Sequence, residues 1–138
     1  MANEAAALVN AYMETKNVPC QFLDDEHNSL RIGWKLNNTS ISIYMFFNEN
    51  NNDVHIEGHE FIAVPDDKME KMYKICNDMN EKFRWIKFRY SDKYKEIIAE
   101  DDAIIQLDSC GEEVFRLMCN MAGIVDEAYP EFMKAMWA

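Results

Sequence analysis

The sequence is poor in glycine and proline, with four glycines and three prolines in 138 residues. Loops that cradle phosphate groups need glycine, because only a residue without a side chain lets the backbone approach so closely. Neither the P-loop pattern nor GxGxxG occurs, and the GxSxG pattern of a nucleophile turn does not occur either. Together these features disfavour nucleotide-dependent and serine-hydrolase chemistry. We predict a non-enzymatic protein without catalytic residues.

Metal-binding patterns are also missing from the sequence. The cysteines stand at wide, irregular spacings without a CxxC pair, as Cys20, Cys76, Cys110 and Cys119. This spacing disfavours a zinc ribbon, and we predict core thiols rather than disulfides. His55 and His59 lie in a segment that alternates like a strand, where residues four apart stand about 13 Å from each other. We therefore predict two surface histidines, no metal site and no cofactor.

Long apolar runs and basic residues are scarce. No segment approaches the roughly 18 apolar residues of a membrane span, and the N-terminus lacks the basic start of a signal peptide. Fourteen Lys and Arg residues oppose 25 Asp and Glu residues, which gives a net charge of −11 and a pI near 4.6. Such a surface repels nucleic acids and anionic membranes. We predict a cytoplasmic protein with neither as a partner.

Hydrophobic periodicity divides the chain into nine elements. Helical spacing marks residues 4–16, 67–83 and 109–125, whereas spacing of two is typical of strands. The predicted strands are a four-stranded meander near 20–22, 30–36, 41–47 and 54–62, and a hairpin near 85–90 and 97–105. The order α-β-β-β-β-α-β-β-α indicates one α+β domain over residues 1–138. We expect its helices to cover one face of an antiparallel sheet.

Three local signals refine these boundaries. The acidic run 100–102 is expected to interrupt the second strand of the hairpin. The pairs Asp67 with Glu70 and Ser109 with Glu112 predict side-chain caps for the second and third helices. Pro130 is expected to kink or break the last helix before the tail EFMKAMWA.

One segment differs in charge from the rest of the chain. Residues 82–95, KFRWIKFRYSDKYK, hold six basic residues and a single acid, Asp92. Basic and aromatic residues in alternation are compatible with single-stranded nucleic acid, which the net charge disfavours. The simpler interpretation is a hairpin with Lys87 and Arg89 directed outward and paired with neighbouring acids. A contact with an acidic partner or with a second copy remains the other alternative.

Methionine and large aromatic residues provide the candidate binding surface. The chain has ten methionines, and flexible thioethers fill irregular cores but also build adaptable binding surfaces. Three helices are too few to cover every large aromatic residue, so at least one is expected near the surface. The predicted partner-binding residues are Trp85, Lys87, Arg89, Phe132, Met133, Met136 and Trp137.

Three runs of the sequence resemble the YbjN-like family, whose members are described as bacterial sensory transduction regulators. The runs are MNEKFRWIKFRYSD, EIIAEDDAI and EEVFRLMCNMAGIVDEAYPEFMKAM. The family pattern also matches Asn80 near the end of the second helix and the stretch from Asp126 to Pro130. The resemblance implies a type III secretion chaperone-like fold and offers no catalytic residue. Secretion chaperones of this fold dimerise and present apolar patches to an unfolded segment of a client protein.

We therefore predict a protein-binding module, chaperone-like or a regulatory adaptor of bacterial signalling, and a homodimer. The alternative is a small-ligand-binding protein or an enzyme whose site consists of scattered polar residues on the sheet. An open apolar patch would favour the first interpretation, and an enclosed pocket with converging polar groups the second.

Overall fold

A computed structural model describes residues 3–138 of the chain. The helices are α1, α2 and α3, at Glu4–Thr15, Met69–Lys82 and Cys110–Trp137, and a 3-10 turn at Asp66–Lys68 precedes α2. The strands are β1 to β6, at Gln21–Phe22, Ser29–Lys35, Ser40–Phe47, Asp53–His59, Lys87–Ser91 and Glu96–Ile104. The predicted order of helices and strands is confirmed.

The six strands form one sheet in the order β1-β2-β3-β4-β6-β5, and all neighbours are antiparallel. Strand β6 lies between β4 and β5, so the return strand of the hairpin joins the meander. The α+β architecture with an antiparallel sheet is therefore confirmed.

Alternation along the strands gives the sheet two different faces. Ile32, Ile43 and Phe88 belong to one row across the sheet, and each is no more than 3% exposed. Gly58 lies in the same row, where an added Cβ would come within 2.7 Å of Ile41 and 3.1 Å of Met121. We call this side, which carries the buried apolar residues, the inner face. The opposite side is the outer face.

Strand β6 runs through the acidic segment that was expected to interrupt it. Glu100 and Asp102 pair in register with Glu57 and His55, and these residues belong to the outer face. Asp101 pairs with Ile56 on the inner face and is 8% exposed. The predicted interruption is therefore wrong, because pairing with β4 along the whole segment keeps it extended.

The last helix continues through Pro130 to Trp137, so the predicted break is wrong. Proline lacks an N–H group and weakens a helix interior, but burial of apolar side chains beyond it opposes this loss. Phe132 and Met136 are 0% and 1% exposed. The predicted side-chain caps are also wrong, because neither Ser109 nor Lys68, the residues at the two helix starts, caps through its side chain.

Asn80 connects α2 to β5 at the edge of the sheet. The backbone N–H of Phe88 donates to Oδ1 of Asn80 at 2.7 Å, and Nδ2 of Asn80 donates to the carbonyl of Phe88 at 3.1 Å. These bonds satisfy both backbone groups that an additional strand would use at this position. The opposite edge, β1, has only two residues.

Candidate functional site

The predicted partner-binding residues separate into surface and core. Trp85 and Trp137 are 65% and 63% exposed, as expected for at least one large aromatic residue. Phe132 and Met136 are buried, so their assignment to a binding surface is corrected to the core. Met133 is half-buried against the core. The continuous α3 explains the difference, because it turns Phe132 and Met136 inward at helical spacing.

The two exposed tryptophans do not share one patch. The ammonium group of Lys68, just before α2, lies 5.3 Å from the ring of Trp137. Trp85 follows the other end of α2, and 14 helical residues span about 21 Å. A partner that contacts both tryptophans would have to extend along the whole of α2.

Trp85 lines an open groove of about 560 Å³ between the end of β6 and the first half of α3. The lining residues are Trp85, Ala103, Ile104, Glu113, Arg116, Leu117 and Asn120. We call this concavity the Trp85 groove. Ile104 is 80% exposed, an unusual position for a large aliphatic side chain. The groove is therefore lined by four apolar side chains together with one acid, one base and one amide on α3.

The backbone at Trp85 adopts an uncommon conformation. Its φ angle is 75°, and the N–H of Ile86 donates to the carbonyl of Arg84 at 2.9 Å. A bond between residues two apart around a positive φ defines a classic γ-turn, which is rare and strained. Ile86 is completely buried and anchors the turn. The fold therefore holds the indole outward at a cost of about 1 kcal/mol or more.

Two basic residues that follow Trp85, Lys87 and Arg89, are bonded within the fold. Nζ of Lys87 donates to the carbonyls of Asn80 and Phe83 at 2.8 and 3.1 Å. Arg89 forms an ion pair with Glu100. The predicted outward direction of both side chains is confirmed, while their contact with a partner stays a prediction.

A chain of imidazoles and carboxylates crosses the outer face. His55 contacts Asp102 at 2.6 Å through Nδ1 and Glu57 at 2.7 Å through Nε2. His59 contacts Glu57 at 2.6 Å through Nε2 and Glu96 at 3.1 Å through Nδ1. We call these five residues the histidine–carboxylate chain.

The histidine–carboxylate chain depends on protons. A neutral imidazole has one N–H, so a ring that donates to carboxylates on both sides must carry two protons. Burial lowers the pKa of His55, but hydrogen bonds to Glu57 and Asp102 outweigh this effect and raise it. Burial raises the pKa of Glu57, but hydrogen bonds from His59 and His55 outweigh this effect and lower it. The charged forms stabilise each other.

Asp101 has the opposite electrostatic situation on the inner face. Its Oδ2 atom is buried without a hydrogen-bond partner. Burial, the largest effect, raises the pKa of this carboxyl group to about 6, and the neighbouring Asp102 charge adds to it. The side chain is therefore a destabilising charge near neutral pH.

The four cysteines are free thiols that differ in burial. Cys76 and Cys110 are buried, whereas Cys20 and Cys119 are half-buried. Burial raises the pKa of the Cys76 thiol to about 12, which disfavours a thiolate at neutral pH. Within residues 3–138, no group of three or more His, Cys, Asp or Glu side chains is arranged to hold a metal ion. No helix in this part of the chain is long and apolar enough to cross a membrane.

Sequence reasoning missed the histidine–carboxylate chain. The pattern His55-x-Glu57-x-His59 places three polar side chains on one face of a strand, which was a usable signal. Asp102 and Glu96 come from β6, and their position opposite β4 depends on the strand order.

Comparisons with known proteins bear on both the family and the fold. A family model named YbjN, with the description "Putative bacterial sensory transduction regulator", matches residues 5–133. No curated protein sequence matches the chain. A solved chain from the crystal structure of the ExsC–ExsE complex is similar at 11% identity with a TM-score of 0.56. The similarity covers 92% of this chain and 94% of that chain, and it supports a type III secretion chaperone-like fold.

Proposed function

Because this chain belongs to the YbjN family, we propose that it works in the cytoplasm as a non-enzymatic, protein-binding adaptor of bacterial signalling. The partner docks an apolar side chain into the Trp85 groove. The similar solved chain comes from a complex, that of ExsC with ExsE, which supports protein binding as the mode of action.

The observation that carries this proposal is the strained γ-turn that holds Trp85 outward. A fold that tolerates strain at an exposed residue commonly does so at a functional position. Trp85 and Ile104 together present a large aromatic and a large aliphatic side chain to solvent beside one groove. Tryptophan is enriched among residues that dominate binding energy at protein interfaces.

The geometry of the groove favours docking through side chains rather than strand addition. Asn80 satisfies the backbone N–H and carbonyl of Phe88 at the neighbouring sheet edge, so a partner strand cannot pair with β5 at that residue. Glu113 and Arg116 stand on the α3 side of the groove. They fit a partner segment in which polar residues of both charges flank the apolar anchor.

Self-association uses the same chemistry. A second copy of the chain offers its own Trp85 as an apolar anchor, and the net charge of −11 opposes unlimited association. We propose a closed homodimer as the working form. Light scattering at micromolar concentration tests this part, and a monomer at all concentrations contradicts it.

The experiment that tests the adaptor function compares two tryptophan variants in the native host. Tagged wild-type protein, Trp85→Ala and Trp137→Ala are each used to capture partners, which mass spectrometry identifies. We expect Trp85→Ala to lose at least one partner that wild-type protein retains, by about tenfold or more, because a central aromatic anchor contributes about 2 kcal/mol.

Trp137→Ala is the matched control, since it removes an equally exposed indole at the end of α3, where Trp137 lies near the start of α2. Thermal unfolding of each variant shows whether the fold is intact. Unchanged capture by a folded Trp85→Ala protein contradicts the proposal. Equal losses in both variants would assign the effect to general surface hydrophobicity and also contradict it.

A further inference from the structure

A second concavity, of about 520 Å³, lies on the outer face around His59. Its lining residues are Tyr44, Phe46, Glu57, His59, Glu60, Tyr94 and Glu96. We call it the outer-face cup. Three aromatic rings, the His59 imidazole and three carboxylates line it, and no lysine or arginine is among the lining residues. The three carboxylates outnumber the single imidazole, so the lining carries a net negative charge. This composition attracts a cation that also has an apolar or planar surface.

The carboxylates of the outer-face cup are unusually shielded for an open sheet face. The side chains of Glu57 and Glu96 are 22% and 12% exposed, and His59 between them is 14% exposed. Removing an anion from water is costly unless a cation or hydrogen-bond donors compensate. Each oxygen of the two carboxylates accepts one bond from the fold, from a histidine or from the backbone of Glu60. Capacity to accept a further donor remains, since each oxygen has two lone pairs.

The aromatic rings are arranged around the same point. His59 makes edge-to-face contacts with Tyr44 at 5.3 Å and with Tyr94 at 5.8 Å between ring centroids. Tyr94 and Phe46 are 56% and 39% exposed. Two rings of the outer-face cup already carry a cation of this chain, because the guanidinium of Arg31 lies 5.9 Å from the centroid of the Tyr44 ring and the ammonium group of Lys93 lies 5.0 Å from that of Tyr94.

We propose that the outer-face cup binds the guanidinium group of an arginine side chain that a partner protein presents. A planar guanidinium stacks on aromatic rings and donates two parallel hydrogen bonds to a carboxylate. Glu60 stands exposed at the rim, and its backbone N–H bonds Glu96 at 2.8 Å. The histidine–carboxylate chain holds Glu57 and Glu96 in position before the ligand arrives, which reduces the ordering cost of binding.

This site is separate from the Trp85 groove. It lies on the outer face, and the two sets of lining residues have no member in common. The arginine proposal therefore stands or fails independently of the adaptor proposal.

The test is an NMR titration of the purified full chain with three small probes at neutral pH. N-acetyl-arginine amide represents a side chain in a protein, and N-acetyl-lysine amide carries the same charge on a different group. N-acetyl-citrulline amide has nearly the same shape without charge. We expect saturable shifts of the Tyr44, His59 and Tyr94 signals with the arginine probe, weaker binding of the lysine probe and none of the citrulline probe.

Two variants outside the histidine–carboxylate chain locate the site. Tyr94→Ala and Glu60→Gln are each expected to weaken binding of the arginine probe by about fivefold, as loss of one stacking or charge contact predicts. Glu127→Gln, an exposed carboxylate on α3, is the matched control and should leave binding unchanged.

Four results would overturn the proposal. Equal binding of the arginine and citrulline probes would exclude charge recognition, and equal binding of the lysine probe would exclude guanidinium recognition. Shifts spread over the acidic surface and insensitive to Tyr94→Ala and Glu60→Gln would exclude the outer-face cup. Free arginine, as a fourth probe, carries an α-ammonium and an α-carboxylate in place of peptide groups, so binding of free arginine as tight as that of N-acetyl-arginine amide would indicate a metabolite rather than a partner protein.

Discussion

The inner and outer faces of the sheet alternate along the same strands, yet different forces stabilise them. On the inner face, Ile32, Ile43 and Phe88 exclude water through apolar packing, which does not change with pH. On the outer face, His55 and His59 connect three carboxylates through bonds that require protons. Strand alternation therefore lets one small sheet combine apolar packing that does not depend on pH with ionic contacts that do.

Asp101 is the exception on the inner face. It is a carboxylate, like the acids of the outer face, but it is buried in the row of the apolar Ile56. Burial on the inner face raises the pKa of Asp101 and so disfavours its charged form. Hydrogen bonds on the outer face lower the pKa of Glu57 and so favour its charged form. The two carboxylates come from paired strands of the same sheet.

The largest effect is expected from Phe132 on α3, whose ring lies 5.1 Å from that of Phe88 on the inner face. Phe132→Ala should reduce the free energy of unfolding by about 4 kcal/mol, because it leaves a cavity in the core. Urea denaturation measures this change. Trp137→Ala removes a larger but exposed side chain and should cost about 0.5 kcal/mol or less. A small loss for Phe132→Ala would place that residue on a binding surface after all.

An intermediate effect of opposite sign is expected at Asp101. A carboxyl group with a raised pKa in the folded state destabilises the protein as pH rises from its ordinary value of 3.8 through about 6. Asp101→Asn should therefore stabilise the protein by about 2 kcal/mol near pH 8 and have almost no effect near pH 4. Thermal unfolding at the two pH values checks this.

Asp102→Asn is the matched control, since it changes the next residue on the opposite face. It weakens the bond to His55 and should destabilise slightly rather than stabilise. Destabilisation by Asp101→Asn near pH 8 would show that the buried carboxylate has a partner in solution.

The smallest effect is expected at His55. A histidine with a raised pKa stabilises the folded state fully below its ordinary value of 6.5 and loses this contribution as pH rises through its higher folded value. Glu57 contributes above its ordinary value of 4.5 and loses its contribution as pH falls through its lower folded value. Both contributions to the free energy of unfolding are therefore present between pH 4.5 and pH 6.5. His55→Ala should cost about 1 kcal/mol there and little near pH 9, since the site is partly solvated.

Denaturation at both pH values, for the wild-type protein and His55→Ala, measures this difference. The same substitution in a Glu57→Gln background should cost less, because it removes a partner that is already weakened. A cost that grows toward pH 9 would refute the assignment of protonated imidazole to the outer face.

The sequence predicted the order of helices and strands because hydrophobic period depends on local residues alone. The outward direction of Lys87 and Arg89 followed from the same alternation. The course of α3 did not, because Pro130 signals a break and only the burial of Phe132 and Met136 outweighs it. Pro130 shows locally that the helix is weakened, whereas the burial that compensates for it depends on residues far away in the sequence.

The candidate sites were predictable only in part. Trp85 was identified as an exposed aromatic residue, but a positive φ at a tryptophan has no sequence signature. The outer-face cup needs β6 beside β4, yet α2 and β5 intervene between these strands along the chain. Sequence reasoning therefore did not single out Glu96 and treated Asp102 as part of an interruption of the strand, and only the sheet order places both beside histidines.

The bonds between Asn80 and Phe88 also bear on how the protein opens. Only eight residues separate these two positions, so the contact closes a short loop at little entropic cost. It ties the last turn of a helix to the outermost strand, where backbone groups otherwise exchange freely with solvent. Fraying of that helix end and release of the strand are then one cooperative event, and the border of the sheet acquires the local stability of its neighbouring helix.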